Sequence, residues 1–154
     1  MTIYYLDTSA LVKCYAREQG TDWMRDLVAS PHAHFFTTVR LAGPELVAAL
    51  FRKLRTRELP RAVVLRLVQE FKADWQDLYD VLEVNTAICE RAMALVEQHG
   101  LRGYDAVHLA AAMIAHEVRR ASHLPALIFL AADDDLLHAA AAEGLRTDNP
   151  NHPP

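Results

Sequence analysis

The sequence predicts a three-layer α/β fold, in which a central parallel sheet of four to five short strands is flanked by helices. Short apolar, β-prone runs alternate along the chain with longer segments in which apolar residues recur at helical spacing. The run at residues 127–130 contains no polar residue, as expected of a strand buried on both faces. Strands separated by helices indicate βαβ units, whose sheet is covered on both sides.

The strands are predicted where apolar runs begin or stop at polar or turn-forming residues. The first run ends at Asp7, the second follows Pro31, and the third ends just before Asn85. A short run that begins at Leu145 predicts an additional edge strand. In chain order, the predicted strands are residues 3–6, 35–38, 81–84, 127–130 and 145–147.

The helices are predicted where apolar residues recur every three or four positions. Pro60 opens one helix, whereas Gly20, Gly100 and Gly144 end others. The predicted helices are residues 11–15, 23–28, 44–54, 60–75, 86–98, 104–119 and 133–143. We find no repeat or linker, so residues 1–148 are predicted to form one domain, followed by a loose tail at residues 149–154.

Composition and charge narrow the functional classes. A chain of 154 residues that is 52% hydrophobic and 23% charged is expected to bury one core. Its net charge of −4 argues against a nucleic-acid binder that works by overall positive charge, but not against a nuclease whose acids bind metal ions. Cys14 and Cys89 form neither a zinc-site spacing nor a disulfide framework, and no signal peptide or membrane span is recognisable. We therefore expect a cytoplasmic protein with no membrane association.

Four acidic residues are predicted to meet at one edge of the sheet. Asp7 follows the first strand and Asp133 lies shortly after the fourth, whereas Glu45 and Asp105 lie at the starts of helices. Sites in open parallel sheets form at the carboxyl ends of the strands, so these side chains should converge. Converging carboxylates repel one another without a cation, and oxygen ligands in that number suit Mg²⁺ or Mn²⁺ rather than zinc. Such an ion polarises a phosphodiester and lowers the pKa of attacking water.

Each acid also has a separate, purely structural interpretation. Asp7 and Asp133 could cap helices. Glu45 or Asp105 could simply interact favourably with the helix dipole in a first helical turn. The joint arrangement favours the metal site over these separate roles.

Basic residues near the acids are candidate substrate-binding groups. Arg52 lies seven positions after Glu45, two helical turns on, within the most basic stretch of the chain. The alternative for this stretch is a solvated helix face. Lys13 and Arg102 each lie close in sequence to one of the acids and are further candidates. His108 could act as a general base, but we predict a buried or hydrogen-bonded helix residue, because a metal ion removes the need for a base.

Four segments carry a family resemblance. Residues 5–13 read Tyr-Leu-Asp-Thr-Ser-Ala-Leu-Val-Lys, Glu45 precedes Leu-Val-Ala-Ala-Leu, and Asp105 precedes Ala-Val-His-Leu-Ala. With Phe-Leu-Ala-Ala before Asp133, this ordered set resembles the PIN-domain nucleases, especially the VapC toxins of bacterial toxin–antitoxin modules. The similarity extends over nearly the whole chain.

The resemblance implies a PIN-like fold, cleavage of RNA that depends on Mg²⁺ or Mn²⁺, a homodimer and inhibition by a small cognate antitoxin. It also implies that Ser9 supports the site through its hydroxyl. The residues that it places in the metal site are Asp7, Glu45, Asp105 and Asp133.

One position departs from the family pattern. Ala131 stands where such proteins often have Thr or Ser, so a hydroxyl that could orient Asp133 is missing. Asp135 could then share or replace the role of Asp133.

Two other functions compete with a metal-dependent endoribonuclease. The first is a catalytically silent PIN-like module that binds RNA or protein, against which the presence of all four acids argues. The second is a phosphoacceptor signalling domain, which needs an aspartate at the end of the third strand. Here Val84 is followed by Asn85, which disfavours that function.

Overall fold

Five strands form a single parallel sheet in the computed structural model, which describes residues 1–154. The strands are β1 (Thr2–Leu6), β2 (His34–Val39), β3 (Tyr79–Leu82), β4 (Leu127–Leu130) and β5 (Arg146–Asp148). Their order across the sheet is β3-β2-β1-β4-β5, so β1 lies at the centre. The predicted α/β class and parallel sheet are confirmed.

Seven α-helices connect or follow the strands. They are α1 (Thr8–Leu11), α2 (Thr21–Val28), α3 (Ala42–Arg55), α4 (Arg61–Asp77), α5 (Thr86–His99), α6 (Gly103–Ala121) and α7 (Asp134–Ala142). A short 3₁₀ turn at Val12–Cys14 continues α1. None of these helices combines the length and the apolar character that crossing a membrane would require.

Two hydrophobic clusters lie on opposite faces of the sheet. Successive side chains of a strand point to opposite faces, and Tyr4 and Leu6 of β1 join one cluster while Tyr5 joins the other. In β4, Ile128 and Phe129 divide in the same way. The first cluster includes residues of α1 to α4, and the second includes residues of α5 to α7. The helices therefore form the two outer layers of the predicted three-layer fold.

The third strand begins two residues earlier than the sequence predicts. Tyr79 is buried, pairs with Phe36 of β2, and exchanges a hydrogen bond of 2.8 Å with the hydroxyl of Tyr15. Val84, which the apolar pattern assigned to the strand, lies outside it and is exposed. Tertiary contacts of Tyr79 therefore decide the register of this edge strand.

Within the predicted tail, Pro150 and Asn151 pack against the turn before α2, whereas residues 152–154 are exposed. Pro150 is buried, and the Gln19 side-chain amide donates a hydrogen bond of 3.1 Å to the Asn151 carbonyl. Gly20, with a φ of +84°, allows this approach, because a Cβ atom there would lie 2.3 Å from the Pro150 carbonyl oxygen.

Candidate active site

Ser9 ties the ends of β1 and β4 together beside Asp7. The Ser9 hydroxyl donates to Asp7 Oδ2 at 2.5 Å and accepts from the Ala132 backbone N–H at 2.9 Å. The Ser9 backbone N–H also donates to Asp7 Oδ2, so Asp7 caps α1 as its structural interpretation predicted. Because Asp7 Oδ1 does not take part in the cap, the capping role leaves one carboxylate oxygen for other ligands.

Asp133 and Asp135 lie at the start of α7, the helix that follows β4. Asp133 caps α7 through Oδ1, which accepts from the Leu136 backbone N–H at 3.1 Å. Asp105, Asp133 and Asp135 line a cleft of about 550 Å³, together with Arg102 and residues of α5 and α7. Both candidates for the fourth acid are thus present in one cleft with Asp105.

His108 lies between Glu45 and Asp7. Its side chain is fully buried, and Nε2 lies 2.7 Å from Glu45 Oε1. The other ring nitrogen, Nδ1, lies 3.0 Å from the Tyr5 hydroxyl and 3.7 Å from Asp7 Oδ1. Burial by itself lowers the pKa of His108, but the neighbouring carboxylates outweigh it and raise the pKa above its ordinary value. The prediction of a buried, hydrogen-bonded residue is confirmed.

The pKa of Asp105 reflects both its burial and the nearby acids. It is raised from the ordinary value of 3.8 to about 6, first by burial and then by the negative charges of Asp7 and Asp133. His108 and Arg102 lower the same pKa, but by less. Asp105 is only half-buried, so its carboxylate retains some contact with water.

The donor set suits a hard divalent cation, although the acids do not yet form a closed coordination sphere. The structure holds no group of three or more His, Cys, Asp or Glu side chains placed to hold a metal ion. Asp7, Glu45 and Asp133 each use one carboxylate oxygen in hydrogen bonds and keep the second available. Carboxylate oxygens are the ligands that hard divalent cations prefer in proteins, so this donor set is compatible with such an ion.

The basic candidates divide into two groups. Arg102 is exposed at the start of α6 and lines the cleft, and Arg52 is exposed on α3. Lys13 differs, because it is only 4% exposed and its ammonium binds Glu18 at 3.0 Å and the Gln19 carbonyl at 2.8 Å. Lys13 is therefore held in a buried ion pair, and its sequence-based assignment to substrate binding stays a prediction.

Two residues of the site were not predicted as functional. The Thr8 hydroxyl donates to Glu45 Oε1 at 3.1 Å, and the Tyr5 hydroxyl contacts His108. Thr8 follows Asp7 directly, which was the one available signal for it. Tyr5 carried no such signal, because its partner His108 lies 103 positions away in sequence.

The PIN domain model matches residues 4–142, which include all four acids. The chain belongs to the PIN-domain family. Ribonuclease VapC45 of Mycobacterium tuberculosis is 31% identical over 149 residues, which cover 95% of this chain and 94% of that protein.

Solved structures share the fold at lower sequence identity. The crystal structure of M. tuberculosis VapC20, described as a toxin that cleaves the sarcin–ricin loop, is 18% identical with a TM-score of 0.63 and covers 99% of this chain and 100% of that one. A toxin–antitoxin complex of Klebsiella pneumoniae is 16% identical with a TM-score of 0.55, covering 84% of this chain and 86% of that one. These neighbours confirm the PIN-like fold.

Proposed function

We propose that this chain is a metal-dependent endoribonuclease that acts as the toxin of a toxin–antitoxin pair. Ribonucleases of this family are generally metal-dependent. We further propose that the metal is Mg²⁺ or Mn²⁺ and that Asp7, Glu45, Asp105 and Asp133 bind it. The observation that carries this proposal is the pKa of Asp105, which burial, Asp7 and Asp133 together raise to about 6. Asp7 and Asp133 also cap α1 and α7, but helix capping does not account for their nearness to Asp105, whose charge a bound cation would offset.

The side chains around the cleft supply complementary roles. Arg102, exposed beside Asp105, would hold a phosphate of the RNA, and Arg52 would hold a second phosphate along α3. Ser9 keeps Asp7 and the chain after β4 in fixed positions through two hydrogen bonds. When bound, the ion would polarise the phosphodiester and lower the pKa of attacking water. Asp135 lines the same cleft and could share or replace the role of Asp133 as a metal ligand.

The names of the relatives support the substrate and the partner. VapC45 is named a ribonuclease, VapC20 is described as a toxin that cleaves the sarcin–ricin loop, and the K. pneumoniae structure is a toxin–antitoxin complex. By extension we propose RNA as the substrate and a small cognate antitoxin as the inhibitor. A homodimer and a cytoplasmic location complete the proposal.

The first test measures cleavage of purified total RNA by the full chain, with and without metal. We expect fragments with Mn²⁺ or Mg²⁺, no fragments in excess EDTA, and no cleavage of single-stranded DNA of matched sequence. Asp7→Asn should abolish cleavage, whereas Asp26→Asn, at an exposed position on α2, should cleave as the wild type does.

The outcomes separate the competing functions. Cleavage that persists under exhaustive chelation would refute the metal mechanism. Mn²⁺ binding without cleavage of any RNA would favour the catalytically silent binding module. Cleavage unaffected by co-expression of the neighbouring gene product would remove the toxin–antitoxin assignment while leaving the nuclease.

A further inference from the structure

A buried chain of hydrogen bonds links the centre of the sheet to the acidic edge. It runs from Tyr5 on β1 through His108 on α6 to Glu45 on α3, with atom separations of 3.0 and 2.7 Å. We propose that His108 is a positioning residue that orients the Glu45 carboxylate for metal binding, an inference that rests on the proposed metal-dependent function.

The chemistry of the tyrosine hydroxyl, the imidazole and the carboxylate determines which group donates in each hydrogen bond. An ionised carboxylate only accepts hydrogen bonds, so His108 Nε2 must donate to Glu45 Oε1. In the neutral ring Nδ1 is then the acceptor, and the Tyr5 hydroxyl donates to it. A partner on the second ring nitrogen thus selects the tautomer that Glu45 requires.

Glu45 is held at one oxygen and free at the other. The Thr8 hydroxyl donates to the same Oε1 at 3.1 Å, so both donors converge on that atom and leave Oε2 for a metal ion. A glutamate has several rotatable bonds, and ordering it only when the ion binds would cost conformational entropy. Two fixed donors remove part of that cost before binding.

The ring that donates to Glu45 is itself immobile. His108 is fully buried, and the Tyr5 ring that contacts it stacks on Phe129 with a centroid distance of 5.4 Å. Both ring nitrogens are engaged inside the protein, which leaves neither available to take a proton from a substrate or from water in the cleft. The geometry therefore indicates positioning rather than general-base catalysis.

The test measures Mn²⁺ affinity by calorimetry on the metal-free protein, without relying on RNA cleavage. His108→Leu removes the donor and should weaken Mn²⁺ binding by about 10–100-fold, as loss of an outer-shell partner does. His108→Gln places an amide N–H near the position of Nε2 and should restore most of the affinity, whereas the shorter Asn should not. His116→Leu, two turns further along α6, is the control and should bind as the wild type does.

An independent measurement reads the tautomer of the wild-type ring. In ¹⁵N-labelled metal-free protein, the proposal requires a proton on His108 Nε2, whether the ring is neutral or charged. A ring protonated at Nδ1 alone would overturn it. If His108→Leu does not fold, the Gln and Asn variants carry the comparison, and equal affinities for these two would also overturn the proposal.

The failures of the two proposals are distinguishable. If the wild type neither binds Mn²⁺ nor cleaves RNA, the proposed function is wrong, and the positioning role falls with it. If the wild type binds Mn²⁺ and a folded His108→Leu binds it equally well, the positioning role is wrong while the nuclease stands.

Discussion

Replacing Asp105 with Asn should stabilise the metal-free protein near neutral pH. The pKa of Asp105 is raised from 3.8 to about 6, first by burial and then by Asp7 and Asp133. Between these two values the folded chain holds a proton that the unfolded chain has released, so the free energy of unfolding falls as the pH rises through this window. Above about pH 6 the penalty is complete, and Asp105→Asn removes it.

The expected gain is modest once solvent and the helix dipole are included. At about 1.36 kcal/mol for each pH unit, a rise from 3.8 to about 6 corresponds to about 3 kcal/mol. The half-buried carboxylate is screened by water, which reduces the figure to about 1–2 kcal/mol. Asn also loses the favourable interaction of a charge with the first turn of α6, about 0.3–1 kcal/mol. The net gain of about 1 kcal/mol should raise the melting temperature by about 2–4 °C.

Thermal melts in EDTA and in Mn²⁺, at pH 7.5 and pH 4, test each step. In EDTA the variant should melt above the wild type at pH 7.5, and the difference should become small at pH 4, close to the unfolded-state pKa of 3.8. With Mn²⁺ at a hundredfold excess over its dissociation constant, the wild type should gain about 2.7 kcal/mol and the variant less, which reverses the order. Asp26→Asn is the exposed control. The proposed cluster of repelling acids would be refuted if the variant melted below the wild type in EDTA at pH 7.5. It would also be refuted if Mn²⁺ left the melting temperature of the wild type unchanged.

Three further substitutions separate substrate contacts from structural ones. Arg52→Ala should weaken RNA binding and lower the slope of log affinity against log salt by about one unit, while Arg120→Ala, at the far end of α6, leaves it unchanged. Equal slopes would assign Arg52 to the solvated face. Ser9→Ala should destabilise the fold by about 1–2 kcal/mol in urea unfolding and weaken Mn²⁺ binding. Ser9→Thr should restore both the stability and the Mn²⁺ affinity. An unaltered Mn²⁺ affinity in Ser9→Ala would contradict the supporting role of Ser9. Lys13→Met should lower stability by about 1–3 kcal/mol, because it leaves Glu18 without its buried partner, and keep the salt slope of RNA binding. A lower slope would restore Lys13 as a phosphate contact.

The sequence alone was sufficient for the architecture and for the edge at which the acids lie. Apolar runs such as residues 127–130 are local signals, and β4 spans those same residues. Asp7 and Asp133 were predicted at strand ends, where they lie, because a parallel sheet brings the carboxyl ends of its strands to one edge. The spacing of apolar residues and the topology of a parallel sheet are enough to predict such placements, and no side-chain contact needs to be known.

Tertiary structure alone decided which side chains are free to do chemistry. Lys13 has the charge of a phosphate-binding residue, but the fold buries it and pairs it with Glu18. His108 lies on an apolar helix face, and only packing against β1 brings Tyr5 to its second nitrogen. Hydrogen-bond partners and pKa values depend on atoms that are distant in sequence, and local patterns carry no information about them. The raised pKa of Asp105 follows for the same reason, since it depends first on burial in the folded chain and then on the nearby charges of Asp7 and Asp133.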